Sequence, residues 1–229
     1  MPLKNEIIVI YSSHLPYKRD ILLEENIKNT IGCKHKIIRY ENKNKYSLSE
    51  IYNRGIKEYK SKNNIIVLIH NDIVFETNKW GLLLLTKFNN SKFDIIGVAG
   101  TDYLGKSCKW WEYRKRLYGI VNHSDGYRKW ETKFSNSFIG IKECVVIDGL
   151  FIALDPYELG ECFNENYGKY HFYDISMCVE AYLNGFNIGV TTDIRITHKS
   201  IGVTNDEWER NRKKLAEEYK DELPIDLCS

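Results

Sequence analysis

Three points in the 229-residue sequence set acidic or imidazole side chains against runs of aliphatic residues. The first is His70-Asn71-Asp72, which follows Ile65-Ile66-Val67-Leu68-Ile69 and precedes Ile73-Val74-Phe75. The second is Asp174, at the head of a helical pattern running to Leu183, and the third is His198, just past an apolar stretch from Ile188 to Thr197. Hard divalent cations favour carboxylate oxygens, and imidazole suits Mn²⁺ as well as softer metals. Asp72 with His198 would be a sparse protein contribution to such an ion, leaving a diphosphate and water to complete its shell. Each point also has an ordinary reading: a polar turn for the triplet, a helix N-cap for Asp174, a solvated loop residue for His198.

The elements that must position these groups are legible from patterning. An unbroken apolar run such as Ile65–Ile69 reads as a strand buried on both faces, the mark of a parallel sheet. Polar residues at its end belong at the C-terminal edge, where ligands of open α/β sheets bind. Strands are predicted over Glu6–Ser13, Lys36–Tyr40, Asp94–Ala99, Cys144–Leu154 and Ile188–Thr197. Helices are predicted over Tyr17–Asn29, from Ser47 to Tyr59, over Trp80–Phe88 and over Asp174–Leu183. Ser47 with Glu50, and Thr204 with Glu207, have capping-box spacing. Strand and helix alternate over the first hundred residues, which predicts βαβ units and an α/β class with a central, mostly parallel mixed sheet flanked by helices, an α/β/α sandwich. Between Thr101 and Lys142 aliphatics thin out and Trp110, Trp111, Tyr113, Tyr118, Tyr127 and Trp130 appear, predicting loops and short strands over one end of the sheet. No linker or repeat divides the chain, so one domain over 1–229 is expected, ending in a charged helix within 205–229.

Composition narrows the function classes. A net charge of +2 gives no nucleic-acid signature, and no stretch approaches the roughly 20 apolar residues of a membrane span. The N-terminus enters a strand at once, so no signal peptide and a cytoplasmic location are expected. Six scattered cysteines without Cys-x-x-Cys pairing are expected to be reduced thiols. The basic run Arg210, Arg212, Lys213, Lys214, interleaved with Glu209, Glu217 and Glu218, reads as a solvated face, with weak peripheral membrane association as the lesser reading.

The ordered set of motifs resembles the family 2-like glycosyltransferases of GT-A fold. Asn53-Arg54-Gly55-Ile56, then a strand, then His70-Asn71-Asp72 is similar to that family's Asn-x-Gly-Ile helix and Asp-x-Asp strand end. Asp148-Gly149-Leu150-Phe151 resembles its acceptor-side strand, His171 to Cys178 the segment with the catalytic carboxylate, and His198-Lys199-Ser200-Ile201-Gly202 the closing metal-binding histidine. Three positions depart from the pattern: the first carboxylate of Asp-x-Asp is His70, the acidic pair before the catalytic helix is Tyr173-Asp174, and the aspartate after the second strand is not evident, Glu41 or Asn42 standing in for it.

The resemblance implies transfer of a sugar from a nucleotide diphospho-sugar, UDP-linked by expectation, to an acceptor hydroxyl with inversion. It implies a divalent metal, Mn²⁺ or Mg²⁺, on Asp72 and His198, and Asp174 as general base. Donor contacts are expected from Ser12, Ser13, Glu41 or Asn42, Asn53, His70, Asn71 and Asp72, within a nucleotide-sugar half over 1–100. Acceptor contacts are expected from Asp148, Gly149, Tyr173, Trp110 and Trp111, with Trp130 as a further sugar platform, within a half over 101–204. The acceptor would be a carbohydrate, a glycoprotein or a lipid-linked glycan. Two other readings stay open: a carbohydrate- or nucleotide-sugar-binding domain without turnover, and a sugar nucleotidyltransferase. The latter would be expected to carry a glycine-rich basic loop after the first strand, and Tyr11-Ser12-Ser13-His14-Leu15-Pro16 has no glycine.

Overall fold

Ile65 to Ile69 form a strand that exposes none of its side-chain surface, as a strand covered on both faces must. In the computed structural model, which describes residues 3–134, 138, 140–200, 202 and 204–228, the chain begins with β1 (Glu6–Ser13), α1 (Ile21–Thr30), β2 (His35–Glu41) and α2 (Leu48–Tyr59). Next come β3 (Asn64–Ile69), β4 (Ile73–Phe75) and α3 (Trp80–Asn90). Short strands follow: β5 (Ile95–Gly97), β6 (Ala99–Thr101), β7 (Tyr103–Leu104), β8 (Leu117–Ser124), β9 (Lys129–Lys133), β10 (Lys142–Cys144), β11 (Val146–Ile147) and β12 (Phe151–Leu154). The chain continues through α4 (Pro156–Leu159), α5 (Tyr173–Leu183), β13 (Ile188–Val190), β14 (Ile196–His198), α6 (Asp206–Glu218) and β15 (Ile225–Asp226).

The main sheet has the order β10-β13-β5-β12-β3-β1-β2. It is mixed as expected: β1 is parallel to β2 and β3, β13 is parallel to β5, and β12 runs antiparallel between β3 and β5. Tyr11, Ile69 and Phe151 share one face in register, and Ile10, Leu68 and Ile152 share the other. On the first face Trp80 of α3 meets Phe151 at 6.3 Å between ring centroids, and Tyr11 donates to Glu24 of α1 at 2.9 Å. On the second face α2 comes so close that a Cβ on Gly55 would stand 2.6 Å from Ile10, and α5 joins it through an edge-on contact of Tyr52 with Tyr173 at 5.8 Å. Helices therefore cover both faces. Burial of each Ile, Val or Leu side chain between them contributes about 1.5–3 kcal/mol.

A second sheet, in the order β11-β6-β8-β14-β4 with β9 on β8, lies beyond the ends of these strands. This corrects three expectations. The apolar runs predicted as single strands over Asp94–Ala99, Cys144–Leu154 and Ile188–Thr197 each break partway, and the pieces pair in different sheets. The helix expected from Tyr17 begins at Ile21, and Tyr17–Arg19 form a separate 3-10 turn before it, with Asp20 between them held by Arg39 Nε at 2.7 Å. Ser47 and Glu50 form the capping box at α2 as expected. At α6 the cap is Asn205, accepting from Trp208 N at 2.8 Å, and Glu207 is instead drawn to Lys169 N at 2.7 Å. All six cysteines are free thiols. Among the described residues no helix is long and apolar enough to cross a membrane.

Candidate functional site

The polar triplet is where the chain leaves the main sheet. β3 ends at Ile69, His70 N donates to Leu150 O at 3.2 Å, and β4 resumes at Ile73 in the second sheet. There β4 lies antiparallel to β14 with His198 opposite Ile73, and Lys199 N donates to Asp72 O at 3.0 Å. His198 is thus the last residue of a strand and is buried, not a solvated loop residue. Asn71 Nδ2 donates to Ser13 Oγ at 3.1 Å, tying the triplet to the end of β1.

This geometry brings His70, Asp72 and His198 together, with one ligand atom from each lying within 4.8 Å of the others. His198 Nε2 stands 3.3 Å from His70 Nδ1, 3.3 Å from Asp72 Oδ1 and 3.0 Å from Ser200 Oγ. The hydrogen-bond network fixes the tautomer of His70. Tyr173 donates its hydroxyl proton to Gly149 O at 3.0 Å, so His70 Nε2, 2.9 Å from that hydroxyl, must be the donor. Nδ1 is left with its lone pair toward His198. Burial, helped by the neighbouring His198, pushes the His70 imidazole below the usual range and keeps it neutral. Burial opposes the charge on Asp72, but the hydrogen bond and charge of His198 override it and hold the carboxyl well below the usual range. Burial works against charge on His198 too, and Asp72 overrides it, raising the imidazole. Two imidazole nitrogens and a carboxylate suit a divalent ion, and suit Mn²⁺ better than Mg²⁺, which prefers oxygen throughout. His70, expected beside the nucleotide and not as a ligand, thus joins Asp72 and His198.

Asp174 is not the N-cap of α5. That place is taken by Phe172, whose φ of 66° puts a bulky residue in the left-handed region. The chain enters the helix so that Asp174 sits in its first turn, Oδ2 accepting from Gly149 N and Oδ1 from Ile175 N, both at 2.9 Å. Burial, reinforced by the charge of Asp148, raises its pKa to about 7, against the pull of those two donors. Gly149 is required here, because a Cβ would lie 2.2 Å from Tyr173 OH and 3.0 Å from Asp174 Oδ2. Asp148 Oδ1 accepts from Leu150 N at 2.9 Å.

One cavity of about 580 Å³ joins these groups. Of the predicted residues, Ser12, Asn42, His70, Asn71, Asp72, Asp148, Gly149, Tyr173, Asp174, His198, Trp110 and Trp111 line it. Four do not. Ser13 is buried and accepts from Leu15 N and Asn71. Glu41 is exposed, and its neighbour Asn42 lies on the wall. Asn53 is a satisfied core amide: it donates to Phe163 O and Glu165 Oε1 at 2.8 Å and accepts from Phe163 N at 3.0 Å. Trp130 stacks on His123 at 5.4 Å, away from the cavity wall. Sequence reasoning missed His14, Tyr170 and Trp208 on the wall. Trp208 comes from the tail helix, whose buried residues Trp208, Asn211 and Leu215 recur at helical spacing, a stripe the charges around it obscured. Three basic residues of that helix have partners within the chain: Arg212 pairs with Glu209 at 2.7 Å, Lys213 reaches the same carboxylate at 3.9 Å and Lys214 donates to Asn166 O at 2.8 Å.

The model of a family described as "Glycosyltransferase like family" matches residues 6–219. No curated protein matches. Among solved structures, GalNAc-T7 with UDP, GalNAc and Mn²⁺ superposes with a TM-score of 0.58 at 9% identity, over 96% of this chain and 49% of that one. This chain thus spans about half of that protein's length. The mannosyltransferase PcManGT of Pyrobaculum calidifontis, with GDP-Man and Mn²⁺, gives 0.51 at 8% identity over 94% of this chain and 70% of that one. The catalytic domain of Drosophila beta1,4galactosyltransferase 7, with xylobiose, gives 0.51 at 9% identity over 91% and 79%.

Proposed function

The chain belongs to the glycosyltransferase-like family and has the GT-A fold, and from that premise we propose that it moves a hexosyl group from a nucleotide diphospho-sugar to an acceptor hydroxyl with inversion. The observation that supports this most is that a metal-competent His70–Asp72–His198 group and a carboxylate of pKa about 7 share one cavity wall. His70 Nδ1, Asp72 and His198 Nε2 would hold a divalent ion, which when bound neutralises charge on the diphosphate leaving group as a Lewis acid. Ser12, Asn42 and Asn71 bound the nucleoside end, within the nucleotide-sugar half over 1–100. UDP is the first donor to test and GDP the second, since the similar structures hold one or the other.

Asp174 takes the proton of the attacking hydroxyl. A base works best when its pKa lies near the operating pH, and burial brings Asp174 there. Gly149 N and Ile175 N hold the carboxylate in place while it acts. Tyr173 keeps His70 in the tautomer that presents Nδ1. Asp148, Gly149, Trp110 and Trp111 receive the acceptor.

The test is nucleoside diphosphate release from a panel of UDP- and GDP-sugars, with Mn²⁺ and with chelator. Turnover with Mn²⁺ alone, lost in Asp72→Ala and Asp174→Ala, with binding lost only in the first, is expected. Nucleotide-sugar binding without turnover under any condition would favour a binding domain and overturn the enzyme reading. Release of pyrophosphate from sugar phosphate and nucleoside triphosphate would favour the nucleotidyltransferase. The anomeric configuration of the product, read by proton NMR, decides inversion.

A further inference from the structure

The cavity wall has a charge pattern that bears on what can enter it. The chain carries 33 lysines and arginines, every one of them described, and none lines the cavity. Its basic groups there are imidazoles alone: His14, His70, His171 and His198. Against them stand the carboxylates of Asp72, Asp148 and Asp174. Asp72 is engaged by His198 at 3.3 Å, which leaves Asp148 and Asp174 facing the rest of the cavity with no Lys or Arg to balance them.

The same wall offers two half-exposed aromatic rings. Trp111 is 38% exposed and Tyr170 is 40% exposed. Trp111 is braced from behind by Trp110 and Trp208, at 5.9 and 5.5 Å between centroids, and Trp208 meets Phe172 at 5.3 Å. The rings of Trp111 and Tyr170 and the carboxylates of Asp148 and Asp174 line the same cavity.

Resting on the glycosyltransferase reading, we propose that the acceptor is a neutral polyhydroxylated glycan, seated on Trp111 and hydrogen-bonded to Asp148, and that acidic or phosphorylated sugars are rejected. A pyranose ring has an apolar C–H face for Trp111 and hydroxyl donors for carboxylates, which only accept. A uronate or phosphate at the same place would bring a third anion beside two carboxylates in a partly desolvated cleft, with no Lys or Arg to pair it. Like charges so placed are how a site excludes a wrong partner.

The experiment uses the whole chain with Mn²⁺ and UDP or GDP, and titrates tryptophan fluorescence with matched probes. These are the p-nitrophenyl glucoside, galactoside and mannoside against p-nitrophenyl glucuronide, and glucose against glucose 6-phosphate. Quenching by at least one neutral probe, lost in Trp111→Ala, with half-saturation at least tenfold higher for its charged counterpart, is expected. In Asp148→Asn the gap should narrow severalfold. Equal or tighter binding of a charged probe, or no quenching by any neutral one, overturns the proposal. Calorimetry of the nucleoside diphosphate with Mn²⁺ is run alongside. If that binding fails, the glycosyltransferase reading falls; if it holds while charged probes win, only the acceptor inference falls.

Discussion

At the residue scale, Asp174 ties activity and stability to pH with opposite signs. As a base it must be ionised, so kcat/KM should fall as pH drops below about 7, and Asp174→Asn should lower kcat by roughly 10²–10⁴-fold and abolish that limb. The stability consequence runs the other way. Its pKa in the fold lies above the ordinary carboxylate value, so the folded chain binds more protons than the unfolded one between about pH 4 and 7. That contribution is present below pH 4 and is lost as pH rises through 7, up to about 4 kcal/mol in all. Thermal melts should show Asp174→Asn gaining on the parent chain from pH 5 to pH 8.5. His198 supplies a second pH effect. Its raised imidazole holds a proton between His70 and Asp72, where a cation would otherwise sit. Mn²⁺ must displace that proton, so its affinity by calorimetry should rise with pH across and somewhat above the usual histidine range.

At the scale of elements, the site depends on the close approach of the Asp148-Gly149 turn to the first turn of α5. Gly149→Ala should displace Tyr173 and Asp174, costing stability and nearly all turnover, because the added Cβ would meet atoms fixed by their own hydrogen bonds. Tyr173→Phe removes the hydroxyl that fixes the His70 tautomer and should weaken Mn²⁺ by about 10–100-fold, as loss of a ligand's hydrogen-bond partner does elsewhere. Trp208→Ala should destabilise by about 3–5 kcal/mol on melting. Much of this was legible in sequence. Asp72 and His198 follow apolar runs and Asp174 heads a helical pattern, and such ends are where side chains can reach a ligand. The rest was hidden for identifiable reasons. An apolar run does not say where it changes sheets, so Cys144–Leu154 read as one strand. His70 looked like a lost carboxylate because its role depends on Tyr173, more than a hundred residues away. Asn53 misled because its partners, Phe163 and Glu165, are equally remote.

At the scale of the whole molecule, the two larger sheets share one hydrophobic core and are joined by short segments of chain. His70 stands at the end of a main-sheet strand, Asp72 lies in the link, and His198 closes a strand of the second sheet. The three groups that would grip an ion thus come from the end of one sheet, the link and the end of the other. An ion there would act as a rivet as well as a reagent. Adding Mn²⁺ should slow amide exchange at β4, β14 and the paired β8–β9 ribbon, and leave β1 and β3, already shut in on both faces, almost unchanged. Chelation should reverse it, and Asp72→Ala should make the exchange rates indifferent to the ion. Occupancy by the ion would then be felt as stiffness in a sheet that need not touch the sugar at all.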